Sequence, residues 1–131
     1  MHIVWLYAAL LALLFVGLSV RTLRMRRRLR IAIGDAGTER MLRAMRVHSN
    51  FAEYVPLNLL LMYFVELSGA SPWFVHALGI CLLVGRVSHA LGVSQVKERY
   101  TFRAVGMALT FAPMIAAALR LLAAYMRAGS A

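Results

Sequence analysis

The sequence is short of acidic residues and has one cysteine, and both shortages limit what the protein can be. Five Asp and Glu stand against fifteen Lys and Arg in 131 residues, which gives a formal net charge of +10. Cys81 alone can form no intrachain disulfide and no cysteine metal cluster. Hydrophobic residues make up 62% of the chain, too many for an ordinary soluble domain. The composition therefore predicts one basic membrane domain, residues 1–131.

Nucleic-acid binding is the other explanation of the positive charge, and the charge pattern disfavours it. The basic residues flank apolar runs, and aromatic residues do not alternate with them as they do in nucleic-acid-binding surfaces. Signals for β-strands, repeats and low-complexity linkers are missing as well. We therefore expect an all-α integral membrane protein with no nucleic-acid partner.

Four long apolar segments predict a bundle of four transmembrane helices, with spans at about 3–20, 51–67, 73–91 and 102–126. The first holds eighteen uncharged residues, about 27 Å of helix, which is close to the hydrocarbon thickness of a bilayer. It lacks the basic start and the cleavage site of a signal peptide, so we expect it to be retained.

The second span should belong to a helix that runs from about residue 39 to about 67. That length exceeds the bilayer core, so the first turns of the helix should stand in the cytosol. Gly34 and Gly37 predict a turn before it, and Thr38 can cap its first turn. Ser71 followed by Pro72 predicts the start of the third helix.

The distribution of basic residues predicts the orientation of the chain. Segment 21–50 holds nine of them and segment 86–103 holds four, whereas the 68–72 loop holds none. By the positive-inside rule, 21–50 is a cytoplasmic connection and both termini lie on the non-cytoplasmic side. Most of the six arginines between residues 21 and 30 should contact anionic lipid headgroups of the bilayer.

Polar residues collect at the predicted cytoplasmic end. On a helix, Arg43, Arg46, Asn50 and Glu53 step by three, four and three residues and share one face. Ionisable residues at the start of a span are candidates for function, since burying them in lipid is costly. The complete polar set expected at this end is Arg43, Arg46, Asn50, Glu53, Tyr54, Arg86, His89, Arg99 and Arg103.

Several arginines and one carboxylate suit a small anionic ligand that carries one cation. Arginine binds carboxylates through two parallel hydrogen bonds, and Glu53 would hold an ammonium group or orient an arginine. A structural explanation stays open: Glu53 pairs with Arg46 or a neighbouring subunit, and the arginines reach towards headgroups. No metal site is expected.

The run 46–56, Arg-Val-His-Ser-Asn-Phe-Ala-Glu-Tyr-Val-Pro, resembles the MAPEG family of membrane-associated proteins in eicosanoid and glutathione metabolism. The family pattern is Arg, Asn four residues on, Glu three further and Pro three beyond, and all four are present. The run 85–89, Gly-Arg-Val-Ser-His, and the basic Arg103 are further matches. The connection 33–37, Ile-Gly-Asp-Ala-Gly, is similar to the small bacterial branch.

The resemblance implies a homotrimer in the bacterial inner membrane that binds glutathione between adjacent subunits. It implies a glutathione transferase or peroxidase that acts on an apolar electrophile or a lipid hydroperoxide. Arg103 matches the arginine that stabilises the glutathione thiolate, and a neighbouring cation does lower the pKa of a thiol. Implied glutathione contacts are Arg46, Asn50, Glu53 and Tyr54, with Arg86 and His89 lining the site and Arg21 as a further ligand residue.

Some positions depart from the family. Val93 replaces a tyrosine of several mammalian members, and Ala104, Met107 and Ala108 stand where prostaglandin E synthase-like members have hydroxyl residues. These changes disfavour prostaglandin or leukotriene synthesis. Two alternatives stay open: a non-catalytic lipid-binding or scaffold protein of the same fold, and a small multidrug exporter. The exporter is the weaker one, because such proteins carry a carboxylate in the first span and segment 3–20 has none.

Overall fold

The computed structural model describes residues 2–97 and 99–129. Over those residues the chain forms four α-helices and no strand. They are α1 (Ile3–Leu29), α2 (Glu39–Leu67), α3 (Pro72–Val93) and α4 (Tyr100–Ala128). The prediction of an all-α fold with four helices is confirmed.

The first helix is longer than the apolar segment that predicted it. α1 continues through the arginines to Leu29 and ends at Arg30, whose φ of 54° is left-handed. Arginine favours the helix nearly as well as leucine does, so the end of the apolar run need not end the helix. The predicted turn follows, with φ values of 72° at Gly34 and 71° at Gly37, a conformation that glycine adopts without strain.

Helix α2 begins where the sequence predicts, directly after Thr38, although the Thr38 side chain makes no capping hydrogen bond. α3 also begins where predicted. The Ser71 hydroxyl accepts a hydrogen bond of 3.4 Å from the Phe74 amide, and Pro72 occupies the first helical position. The two helices are joined by a short loop in which Gly69 has a φ of 75°.

Helices α2 and α3 form the centre of the bundle. Each of them contacts the other three helices, whereas α1 and α4 make no contact with each other over the described residues. The core is apolar, with Leu11, Met62, Val65, Leu82 and Ala117 completely buried. This arrangement places α2, which carries the polar stripe Arg43, Arg46, Asn50 and Glu53, next to both α3 and α4.

Helices α3 and α4 approach so closely that only glycine fits at several contact positions. A Cβ atom on Gly92 would lie 2.7 Å from the Arg103 amide nitrogen, and one on Gly85 would lie 2.9 Å from the Leu109 Cβ. Small residues that let helix backbones touch are typical of helix pairs in membranes. Here the contact brings the end of α3 against the start of α4.

Three helices, α1, α3 and α4, are long and apolar enough to cross a membrane. α2 is not among them, since polar residues, including Asn50, Glu53 and Asn58, lie along it. The second predicted span, 51–67, therefore stays a prediction. Large apolar side chains are exposed on the outer helices, for example Leu13 and Leu119, as expected of surfaces that face lipid.

At the opposite end of the bundle from the polar stripe, Glu66 caps α1. Its carboxylate accepts hydrogen bonds from the amides of Ile3, at 2.5 Å, and Val4, at 3.5 Å. A carboxylate is stabilising at this position because the helix N-terminus carries partial positive charge. Nearby, the Tyr7 hydroxyl lies 2.9 Å from His76 Nδ1 and ties α1 to α3.

Candidate functional site

A cavity of about 260 Å³ opens at the end of the bundle where α2 and α4 begin and α3 ends. We call it the arginine cavity. It contains five of the residues that the sequence singles out, contributed by three different helices. Its lining is Glu39, Leu42, Arg43, Arg46 and Asn50 from α2, His89 and Val93 from α3, and Arg103 from α4.

The α2 wall of the arginine cavity combines a fixed arginine with an exposed one. Arg43 forms an ion pair of 2.9 Å with Glu39 and donates a hydrogen bond of 3.4 Å to the Val93 carbonyl. Arg46 is exposed and makes no hydrogen bond or ion pair within the described part of the chain. Sequence reasoning missed Glu39 as a site residue, although its spacing of four from Arg43 is that of a helical ion pair.

Behind Asn50 lies Arg86, which is buried at 2% exposure and does not itself line the cavity. Its Nη1 donates a hydrogen bond of 2.8 Å to the Asn50 side-chain oxygen. Its Nη2 donates to the Thr110 hydroxyl and, at 3.4 Å, to the Gly106 carbonyl. Sequence reasoning also missed Thr110, which the two-turn spacing from Arg103 places on the same face of α4.

The third wall of the cavity is the start of α4. Arg103 lies in the first turn of this helix, where unsatisfied amides carry partial positive charge. His89 faces the same cavity from α3 and is almost completely buried. The cations of α2 and α4 and the helix N-terminus together make this cavity suitable for an anion.

Glu53 and Tyr54 do not line the arginine cavity. Tyr54 is half-buried, and its ring packs edge-on against Phe111 with ring centroids 5.3 Å apart. Glu53 is exposed, and no ion pair joins it to Arg46 or to any other described residue of the chain. Pairing of Glu53 with Arg46 within one chain was one of the explanations left open above, and the structure does not contain this ion pair.

Arg21 and Arg99 also lie away from the arginine cavity. Arg21 donates a hydrogen bond to the Ser94 hydroxyl just after α3. The Arg99 guanidinium lies 5.8 Å from the centre of the Phe102 ring. Arg21 also lines a separate basic groove of about 740 Å³, whose cations are Arg21, Arg24, Arg27, Arg28 and Arg40.

Over residues 2–97 and 99–129, no three His, Cys, Asp or Glu side chains are grouped so that they could hold a metal ion. The guanidinium groups of the arginine cavity, the Asn50 amide and the N-terminus of α4 are groups that bind anions.

Comparison with known proteins identifies the family of the chain. The MAPEG family model matches residues 4–123. The chain belongs to the MAPEG family. This MAPEG chain is 39% identical over 110 residues to the inner membrane protein YecN of Escherichia coli, which covers 84% of this chain and 82% of YecN. The same figures hold for YecN of a second Escherichia coli strain. No solved structure matches the chain.

The comparisons confirm two predictions. The chain is a membrane protein, and its family is the one of glutathione and eicosanoid metabolism. Its relative YecN is described as an inner membrane protein. Helices α2 and α3 lie entirely within the matched range 4–123, and α1 and α4 extend beyond its two ends.

Proposed function

We propose that this MAPEG protein binds glutathione in the arginine cavity and activates its thiol for reaction with an apolar substrate. The substrate would be an electrophile, for a transferase, or a lipid hydroperoxide, for a peroxidase. One observation carries the proposal: five predicted site residues from three helices line a single cavity, namely Arg43, Arg46, Asn50, His89 and Arg103.

The charges of the cavity are complementary to those of glutathione, which has two carboxylates and one ammonium group. Arg46 is exposed at the cavity and takes one carboxylate in this proposal, and Arg43 takes the other by exchanging its ion pair with Glu39; arginine binds carboxylates through paired hydrogen bonds. Glu39 is the acidic residue at the rim and lies beside Arg43, where an ammonium group would find a carboxylate. The proposal assigns the sulfur to Arg103, the cation that α4 contributes to the cavity.

Arg103 stabilises the thiolate in this proposal, because a cation and a helix N-terminus both favour negatively charged sulfur. In the transferase reaction, sulfur forms a bond to the electrophilic carbon and the leaving group departs with its electron pair. In the peroxidase reaction, sulfur attacks the outer oxygen of the hydroperoxide. The O–O bond breaks, the alkoxide takes up a proton equivalent to the one that the thiol lost and leaves as alcohol, and the thiol of a second glutathione attacks the sulfenic sulfur to give disulfide and water. The Thr110 hydroxyl accepts a hydrogen bond from Arg86 and donates one to the Gly106 carbonyl, so it does not stabilise the thiolate in this proposal.

We further propose that the functional unit is a homotrimer in which a neighbouring subunit completes the site. Glu53 is an exposed carboxylate directly before the apolar half of α2, it has no ion pair with any described residue, and such a group is costly in lipid. A neighbouring subunit would cover it and could bring the basic groove that contains Arg21 towards the arginine cavity. Native mass spectrometry in a mild detergent would show three chains, and a clean dimer would contradict this proposal.

The proposed location is the bacterial inner membrane with the arginine cavity on the cytoplasmic side. The basic residues support this orientation, because segments 21–50 and 86–103 both reach this end of the bundle. Apolar substrate would enter from the bilayer.

Calorimetric titration of the detergent-purified protein with glutathione tests the function, followed by a stopped-flow measurement of thiolate absorbance. Arg46→Ala should weaken binding about tenfold or more, since a hydrogen bond to a charged group contributes about 1.5–3 kcal/mol. Arg120→Ala removes the same charge from the other half of α4 and should leave affinity unchanged.

Absence of saturable binding, or equal losses from both variants, would contradict the proposal. Binding without turnover of any electrophile or hydroperoxide would favour the lipid-binding or scaffold alternative.

A further inference from the structure

Arg86 is a buried cation whose hydrogen-bond partners among residues 2–97 and 99–129 are all neutral. Its partners are the Asn50 oxygen, the Thr110 hydroxyl and the Gly106 carbonyl, with Met107 Sδ at 3.7 Å. No carboxylate pairs with it among the described residues, and its Nε has no hydrogen-bond partner there. A charge buried in this way is costly, so its retention in the core calls for a reason.

The α4 side of the Arg86 site is firmly anchored. The Thr110 hydroxyl donates a hydrogen bond of 2.7 Å to the Gly106 carbonyl, and its oxygen accepts from Arg86. Because the hydroxyl hydrogen is committed to Gly106, the lone pair of Thr110 points to the guanidinium. Thr110 is completely buried, so water does not compete for this contact.

On the α2 side, the same guanidinium determines which way the Asn50 amide points. Arginine has only donors, so the group of Asn50 that faces Arg86 must be its oxygen. The hydrogen bond of 2.8 Å agrees with this orientation. The NH₂ group of Asn50 is therefore the part of the amide that is not bonded to Arg86, and Asn50 lines the arginine cavity. The amide cannot turn over without placing NH₂ hydrogens against a buried cation.

We infer that Arg86 is a positioning residue that makes Asn50 a dedicated hydrogen-bond donor to an anionic group of the ligand. In this hydrogen-bond relay Arg86 donates to the Thr110 hydroxyl and to the Asn50 oxygen. The NH₂ group of Asn50 then donates to the ligand. The uncompensated charge of Arg86 polarises the amide and strengthens its donor end. The inference rests on the proposed function, because it takes the ligand to be glutathione and the anionic group to be one of its carboxylates.

A double-mutant cycle tests this relay in the full-length protein, with glutathione as the probe in calorimetric titrations. Thr110→Val keeps the shape of the side chain and removes the acceptor of Arg86, so affinity should fall about three- to tenfold. Asn50→Ala removes the donor and should lower affinity about tenfold. In the Asn50→Ala background, Thr110→Val should have no further effect, because Thr110 acts through Asn50.

Thr110→Ser keeps the hydroxyl and should retain wild-type affinity. Thr101→Val makes the same chemical change at an exposed position in the first turn of α4 and is the matched control. Additive losses from Thr110→Val and Asn50→Ala would overturn the relay while leaving the proposed function intact. Absence of glutathione binding by the wild-type protein would overturn both.

Asn50→Asp provides a second measurement that a purely structural role would not explain. The new carboxylate pairs with Arg86, so the melting temperature should stay equal to or exceed that of the wild type. Glutathione binding should nonetheless fall by at least the Asn50→Ala factor, since the donor is gone and a negative charge has been added. Wild-type affinity in Asn50→Asp would overturn the inference.

Discussion

Gly106 lies directly against the backbone of His89. A Cβ atom on Gly106 would come within 2.5 Å of the His89 amide nitrogen, closer than Cβ atoms approach other atoms in proteins. One turn away, Gly92 has the same relationship to Arg103. These contacts hold α3 and α4 together at the arginine cavity. The distance between His89 and Arg103, and therefore the shape of the proposed thiol site, depends on them.

Gly106→Ala should separate α3 from α4 and destabilise the protein by about 1–3 kcal/mol, the usual cost of overpacking a core. Glutathione affinity should fall as well, because His89 and Arg103 would no longer face the same cavity. Thermal unfolding in detergent and calorimetric titration measure the two effects. Gly17→Ala is the control, since a Cβ at Gly17 meets nothing within 4 Å. A Gly106→Ala protein with wild-type stability would show that the two helices can repack at little cost.

Glu66→Gln should lower the stability of the protein, whereas Glu53→Gln should lower its affinity for glutathione. Glu66→Gln weakens the charged cap on the first amides of α1 and should lower the free energy of unfolding by about 0.3–2 kcal/mol. It should leave glutathione affinity unchanged, since Glu66 lies at the far end of α2. In the proposed trimer a neighbouring subunit covers Glu53 and makes its carboxylate one member of a partly desolvated charged pair, so Glu53→Gln should weaken glutathione binding by about 2–5 kcal/mol.

Unfolding curves and titrations of both variants check this. Equal losses of affinity in both would mean that Glu53 acts on the structure rather than on the ligand.

Arg103→Ala should separate glutathione binding from thiol chemistry. Removal of the cation raises the pKa of the bound thiol, and each unit corresponds to about 1.4 kcal/mol. Turnover of chlorodinitrobenzene should fall, while glutathione affinity stays within a few-fold, because the carboxylates are held on α2. Thiolate absorbance as a function of pH, together with titration, measures both quantities. Arg99→Ala, four residues earlier and with its guanidinium over the Phe102 ring, is the matched control. Loss of affinity with an unchanged thiol pKa would instead make Arg103 a carboxylate ligand.

Cysteine labelling should place the arginine cavity on the cytoplasmic side. In a Cys81→Ala background, Ile33→Cys puts a thiol at a residue that is 91% exposed, in the α1–α2 connection. Ser68→Cys puts one in the exposed α2–α3 loop. An impermeant reagent applied to intact cells should label Ser68→Cys, and it should label Ile33→Cys only after the cytoplasmic side is opened. The reverse pattern would contradict the orientation and place the cavity on the outside.

Local chemistry in the sequence predicts most of the helix boundaries. The turn glycines before Thr38 and the pair Ser71 and Pro72 predict the starts of α2 and α3, because caps and turns depend on a few adjacent residues. The end of α1 could not be predicted in the same way. The length of an apolar run reflects the thickness of the membrane and not the length of the helix. Helix α1 continues beyond the run to Leu29 because the arginines there have high helix propensity.

The polar stripe of α2 is also a local property, and three of its members line the arginine cavity as its periodicity suggests: Arg43, Arg46 and Asn50. Glu53 shares the stripe and yet lies outside the cavity. Periodicity specifies a face of a helix, but the neighbouring helices determine how far along that face a cavity extends.

The sequence by itself determined the membrane class, the four helices, and the helical face that carries the arginines of α2. Only the tertiary structure decided the separate positions of Arg86 and Arg103, of which the first is buried and the second lines the arginine cavity. Arg86 is buried because α4 contacts α3 around it and supplies Gly106 and Thr110 as its partners. Arg103 lies in the first turn of α4, where the backbone packs against Gly92 and the side chain lines the cavity. The burial of a side chain depends on which helix faces pack together, and contacts between residues far apart in sequence determine this packing.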